Sequence, residues 1–171
     1  MFSLMTEFNQ SEHLQPSLLD RLTDSEPNKQ VESLSSRSLG MDQLRACVQR
    51  DLAWLLNSTS ISPLVDFSEF DELPSSVVNF GVPEFSGVSA SSLDIKDIEK
   101  GIKQSILNFE PRLMKGSVKV SSVSRDEMSE NAISFDIEAN FWAQPVPIRI
   151  LLQSDLDLET GDFIVREKTG F

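Results

Sequence analysis

Paired carboxylates are the residues of this chain most able to do chemistry. Glycoside hydrolysis, for example, needs two of them flanking one bond, with one raised in pKa by an apolar pocket. The chain has 27 Asp and Glu residues, so some pairs fall close together by number alone. Most of them, however, occupy the exposed phase of amphipathic segments: Asp136 and Glu138 on a strand, Asp97 and Glu99 on a helix. Solvated faces account for them. Other constellations lack parts. His13 is the sole histidine and Cys47 the sole cysteine, which argues against a His-dependent triad, a Cys/His metal site and an internal disulfide. Gly81 and Gly87 stand too far apart for a dinucleotide fingerprint or a P-loop. No Gly-x-Ser-x-Gly elbow occurs. The chain reads as a non-enzyme, with no catalytic, cofactor or metal residues to assign.

Phe109-Glu110-Pro111-Arg112-Leu113 is the most unusual local feature. A carboxylate at a helix C-terminus opposes the helix dipole, so Glu110 calls for a compensating cation or donor. Arg112, just past the Pro111 break, is placed to supply it or to reach another chain. Two roles fit: an internal clamp locking helix to strand, or a polar anchor at an interface.

The elements that must position these residues are legible from period. Residues 1–40 are polar with little sustained apolar repeat and read as an arm that is mobile in isolation. Within it, Pro16 precedes Leu18, Leu19 and Leu22, three leucines on one face of a turn or two of helix. So short a helix is marginal alone; it either folds back or docks on a partner. Residues 41–171 read as a single α+β domain. Asp42 to Asn57 is a strong helix with Leu44, Val48, Leu52 and Leu55 as its stripe, widened by Cys47 and Leu56. Cys47 is expected in the core, and Trp54 and Trp142 in the core or at its rim. A long connector follows, in which Val77, Val78 and Phe80 suggest a short apolar helix over Ser75 to Phe80, stopped by Gly81. Leu93 to Phe109 is the second strong helix, with Ile95, Ile98, Ile102, Ile106 and Phe109 at spacings of three and four and Asp94 as its cap.

Period-two alternation takes over after that: Val118 and Val120, then Ile133 to Phe141, then Ile148, Ile150 and Leu152, then Phe163 and Val165, the last two joined by a Glu159-Thr160-Gly161-Asp162 turn. Two helices before a run of strands is an α+β order, with both helices on one face of a small, mostly antiparallel sheet. The strand from Val146 to Gln153 is either an inner strand or an edge offering backbone groups to a partner; Pro145 and Pro147 cannot donate ladder bonds, which places that end at an edge or a strand start.

The bulk numbers agree with a soluble protein: 171 residues, 39% hydrophobic and 25% charged. A net charge of −12 argues against nucleic acid as a partner. The start of the chain lacks a basic and apolar signal region, and no apolar run is long enough to insert in a membrane, so the chain reads as cytosolic.

Four segments occur in order: Pro16-Ser17-Leu18-Leu19-Asp20-Arg21-Leu22, Arg50-Asp51-Leu52-Ala53-Trp54-Leu55-Leu56-Asn57, Asn79-Phe80-Gly81-Val82-Pro83 and Phe109-Glu110-Pro111-Arg112-Leu113. Together with Leu156-Asp157-Leu158-Glu159-Thr160-Gly161 they resemble the TssE family of type VI secretion baseplate subunits, related to a phage-tail wedge protein often labelled lysozyme-like. The resemblance runs from about residue 16 almost to the end, with Phe80 where the family has Tyr. It implies a structural role: a subunit beside the wedge core that offers a sheet to the first ring of sheath subunits, whose strands complete it. It maps the family's hallmark triplet onto Glu110, Pro111 and Arg112, and makes the Leu18, Leu19 and Leu22 segment a wedge-docking arm. Ile148, Ile150 and Leu152 become candidates for the strand offered to the sheath. A peptidoglycan hydrolase is the alternative that the lysozyme label implies.

Overall fold

The computed structural model of the chain describes residues 17–23, 27–28, 41–85, 94–123, 132–141 and 147–168. His13, Gly87, Leu93, Trp142, Pro145 and most of the arm lie outside them. Among the described residues three α-helices run Leu18–Leu22 (α1), Met41–Leu56 (α2) and Ile95–Phe109 (α3). Four strands follow: Lys119–Val123 (β1), Ala132–Phe141 (β2), Ile148–Asp157 (β3) and Phe163–Glu167 (β4). The sheet order is β1-β2-β3-β4 and every neighbouring pair is antiparallel, giving a meander. This is the expected α+β class.

The side-chain alternation decides which face is covered. Phe135, Ile137, Ala139 and Phe141 of β2, Ile150, Leu152 and Leu156 of β3, and Phe163 and Val165 of β4 are buried in one cluster with Leu44, Val48, Leu52, Leu55 and Leu56 of α2 and Ile98, Ile102 and Ile106 of α3. Each such side chain contributes roughly 1.5–3 kcal/mol on burial, so packing rather than helix propensity holds α2 and α3 in place. Ser154 lies in the same phase, fully buried, and its hydroxyl has no hydrogen-bond partner among the described residues. The Asp94 side chain caps α3 by accepting from the Lys96 N–H at 2.9 Å. At the other end Pro111 excludes helical geometry at Glu110, which adopts φ −115° and ψ 82°, and the helix stops at Phe109.

Three expectations need correction. Ser75 to Phe80 is not one helix but two 3₁₀ turns, Leu73–Ser75 and Val77–Asn79, separated by an extended Ser76. Val77 and Val78 point outward, at 84% and 59% exposure, because Asn79 takes the inward position. Its Oδ1 accepts from the Ser62 N–H at 3.0 Å and its Nδ2 donates to the Pro74 carbonyl at 3.1 Å, organising the connector by polar contact. Trp54 is half exposed, its ring covered by the Arg50 guanidinium 4.9 Å from the centroid instead of by core side chains. Cys47 is half-buried at the edge of the α2 stripe, outside the core cluster.

Gly81 ties this connector to the end of α2. Its φ is +130°, and a Cβ there would sit 2.2 Å from the Ser58 carbonyl oxygen. That close approach lets the Val82 N–H donate to Ser58 and the Ser60 N–H donate to Val82, each at 2.9 Å. The Ser105 hydroxyl of α3 then donates to the Gly81 carbonyl at 2.7 Å. The Asn79-Phe80-Gly81-Val82-Pro83 segment is thus a brace between the two long helices.

Candidate functional site

The Glu110-Pro111-Arg112 turn is the polar centre of the molecule. Pro111 has no N–H, so the first donor after the break belongs to Arg112. Glu110 Oε1 accepts from that N–H at 3.1 Å and from Arg112 Nε at 2.7 Å, while Oε2 pairs with Arg112 Nη2. The carboxylate is almost fully buried and its charge is met within three residues of its own backbone. Arg112 Nη2 also reaches Asp51 Oδ2 of α2 at 2.6 Å. The pairing is therefore inside the chain. Of the two roles open from sequence, the internal clamp is the one this geometry fulfils, and it locks the end of α3 to α2. Burial works against the Arg112 charge, and the bonds to Glu110 and then Asp51 outweigh it, so its pKa stands above the ordinary value. Arg112 Nη1 is buried without a partner among the described residues.

From Asp51 the alternation of charge continues outward. Asp51 Oδ1 accepts from Arg50 Nε at 2.9 Å and Nη2 at 2.7 Å. Arg50 Nη1 in turn donates to Asp20 Oδ1 of α1 at 2.6 Å. The result is a ladder, Glu110–Arg112–Asp51–Arg50–Asp20, which starts at a buried carboxylate and ends on the arm. The Arg50 hydrogen bond holds the Asp20 carboxyl well below the usual carboxylate range, and the Asp20 bond raises Arg50 correspondingly. Burial pushes the Cys47 thiol up, and its contact with Asp20 pushes it further.

The arm helix is set by its own residues. Ser17 is its N-cap, accepting from the Asp20 N–H at 3.3 Å, and the Ser17 hydroxyl donates to Asp20 Oδ2 at 2.7 Å. Thr23 closes the other end on the Leu19 carbonyl. Because Asp20 faces the body, the leucines do not: Leu18, Leu19 and Leu22 are 70%, 47% and 74% exposed. The arm both lies back on the body and leaves its apolar face outward.

The remaining sequence-predicted site residues fall on β3. Ile150 and Leu152 are buried in the core and Ile148 is partly buried against it. β3 pairs with β2 along its whole length and with β4 over Leu152–Leu156. Ile150 and Leu152 are thus occupied internally, and β3 is an inner strand of the sheet. Sequence reasoning missed the ladder beyond Arg112. The signal was present as adjacent opposite charges, Asp20-Arg21 on the arm and Arg50-Asp51 on α2, but spacing alone does not say which pairs meet.

No described helix is long and apolar enough to cross a membrane. Among the described residues no group of His, Cys, Asp and Glu is arranged to hold a metal ion.

An α+β body whose most buried charges lock its own helices together, and whose arm turns leucines outward, has the design of an assembly subunit. The chain belongs to the family of the baseplate wedge protein gp25, whose sequence profile matches residues 42–146, from the start of α2 to the connector after β2. No curated protein and no solved structure was found to match the chain. Membership gives it a structural role in a baseplate, and the family resemblance read from the motifs holds.

Proposed function

We propose that this chain is a type VI secretion baseplate subunit that joins the wedge to the first ring of the contractile sheath and templates that ring by strand addition. Residues 1–40 act as the wedge-docking arm and residues 41–171 as the sheath-initiating domain. Its partners are wedge core proteins and sheath subunits, on the cytoplasmic side of a baseplate docked at the inner membrane. The observation that carries this reading is the outward leucine face of α1, fastened through Asp20 and Arg50 to the ladder that ends at buried Glu110. Charge is placed where it fixes the arm, and apolar surface is left where a partner can cover it. The triplet then acts chiefly by holding the body in the shape the assembly needs.

A peptidoglycan hydrolase fits the residues less well. Glu110 is the most buried carboxylate among the described residues, and a general acid needs an apolar pocket; Glu110 is instead ion-paired twice to Arg112.

The test is co-purification of the full chain with wedge and sheath proteins, together with counts of sheaths in cells. Leu18→Asp with Leu22→Asp should remove the chain from the wedge and abolish sheaths, while the purified variant keeps its thermal midpoint. Normal sheath number in that variant would overturn the arm's role. Clearing of cell walls by the purified chain, lost on changing one carboxylate, would establish the hydrolase instead.

A further inference from the structure

The two borders of the sheet are finished differently. On β4, the residues that turn their backbone groups away from β3 are Phe163, Val165 and Glu167, and α2 side chains reach the first two. Asn57 Oδ1 accepts from the Phe163 N–H at 2.8 Å, Asn57 Nδ2 donates to the Phe163 carbonyl at 2.9 Å, and Gln49 Nε2 donates to the Val165 carbonyl at 3.0 Å. Side-chain amides thus meet both the donor and the acceptor of Phe163 and the acceptor of Val165.

On β1, the Ser122 N–H turns away from β2 and is met by Glu99 Oε1 of α3 at 2.6 Å. Strand alternation places the Val120 N–H and carbonyl on the same outer side. A carboxylate can cover a donor but cannot satisfy a carbonyl, so Glu99 leaves the acceptors of this border unmet. Beside it runs a groove of about 530 Å³ lined by Lys103, Lys119, Val120, Asp136, Glu138 and Arg149, among others. Its acids are already matched: Asp136 pairs with Lys168 at 2.6 Å and Glu138 with Arg149 at 3.0 Å. Lys103 and Lys119 are exposed, and neither has an ion-pair partner among the described residues, in a chain of net charge −12.

Lysines on an edge also deter aggregation, and that alone could explain Lys119. It does not explain why the opposite edge receives three side-chain bonds while, among the described residues, Glu99 alone holds this one, next to a groove. We infer that β1 is the receiving edge of the sheet, closed provisionally by Glu99, and that its occupant is an extended, acidic segment of another polypeptide added as a fifth strand. The incoming backbone replaces Glu99 at the Ser122 N–H and pairs with Val120, and its carboxylates meet Lys103 and Lys119. This rests on the reading of the sheet as a strand acceptor and adds which edge accepts and what chemistry it selects.

The test uses the full chain, ¹⁵N-labelled, with a synthetic ten-residue peptide alternating Val and Glu and a control alternating Val and Lys. The Val-Glu peptide should shift the Val120 and Ser122 amides and slow their hydrogen exchange at least tenfold, leaving Phe163 and Val165 unchanged. Lys103→Glu with Lys119→Glu should weaken that binding at least tenfold and reverse the preference between the peptides. Glu99→Ala should strengthen it severalfold. Protection at Phe163 and Val165, equal binding of both peptides, no binding at millimolar peptide, or β1 protection that rises with protein concentration alone would each overturn the assignment. The same exchange measurement with purified sheath subunits separates the two claims. Sheath that binds while protecting another surface overturns the β1 edge and keeps the baseplate role. Peptide binding at β1 with no affinity for sheath keeps the edge and sinks that role.

Discussion

The body of the molecule and its arm are held by opposite means. The body buries aliphatic and aromatic side chains between α2, α3 and the sheet, with Val48, Ile102, Ile106, Phe135 and Leu156 wholly enclosed. The arm helix buries none of its leucines and is fixed by Asp20 on Arg50, at the outer end of a run of charges. Hydrophobic burial is non-directional and is not screened by salt, whereas an ion pair near the surface is weak, screened and sensitive to pH. The body is therefore held more firmly than the arm helix.

Breaking the body should give the largest effect. Phe135→Ala leaves a cavity beneath both helices and should cost about 3–5 kcal/mol in denaturant unfolding. Glu110→Ala comes next. It strips Arg112 of its buried partner while Asp51 remains, and should cost on the order of 3 kcal/mol. If Glu110→Ala left unfolding unchanged and affected assembly only, the triplet would be an interface anchor after all. Ser154→Ala runs the other way: removing a buried hydroxyl that has no partner should stabilise the body by about 1 kcal/mol.

Asp20→Ala should change global unfolding by less than about 1 kcal/mol, because the bond it removes is partly exposed. Its visible effect is local. Uncovering Cys47 and withdrawing the Asp20 carboxylate lets the thiol ionise more readily, so alkylation at pH 8 should quicken severalfold over the parent chain. Unchanged thiol reactivity would mean that the arm does not rest there in solution. Acid should do reversibly what the substitution does permanently. The Asp20 carboxyl is lowered in the docked arm relative to the ordinary value of roughly 3.9, so the docked state binds fewer protons. Its contribution is complete above about pH 5 and fades as pH falls through the ordinary value toward the lowered one. Cys47 reactivity is frozen out at such pH, so the measurement there is Trp54 fluorescence, since that ring lies under Arg50.

The same contrast explains what could be read from the sequence. The core of the body was legible because burial imposes a period. The stripes of α2 and α3 and the alternation of β2 and β3 put Leu44, Ile102, Ile137 and Leu152 inward as expected. Glu110's need for a cation was legible too, since a carboxylate at a helix C-terminus is a local conflict that Arg112 resolves. The polar contacts between distant segments were not. Asp20 meets Arg50 thirty positions away and Arg112 meets Asp51 sixty-one away, and no repeat in the sequence records such pairings. Val77 and Val78 misled for the same reason. Apolar type suggested a buried face, but Asn79, through bonds to Ser62 and Pro74, decided which residue turned inward.

The seal on β4 bears on how the chain is made. The strands pair only with their neighbours in sequence, so the meander zips up from short-range contacts. Gln49 and Asn57, by contrast, reach partners 116 and 106 positions downstream. During synthesis α2 emerges before every strand it packs on, and the part of its apolar side that faces β4 stays uncovered until Phe163 and Val165 follow. A chain cut short before Phe163 would leave that part of the stripe in water and Gln49 and Asn57 without their backbone partners.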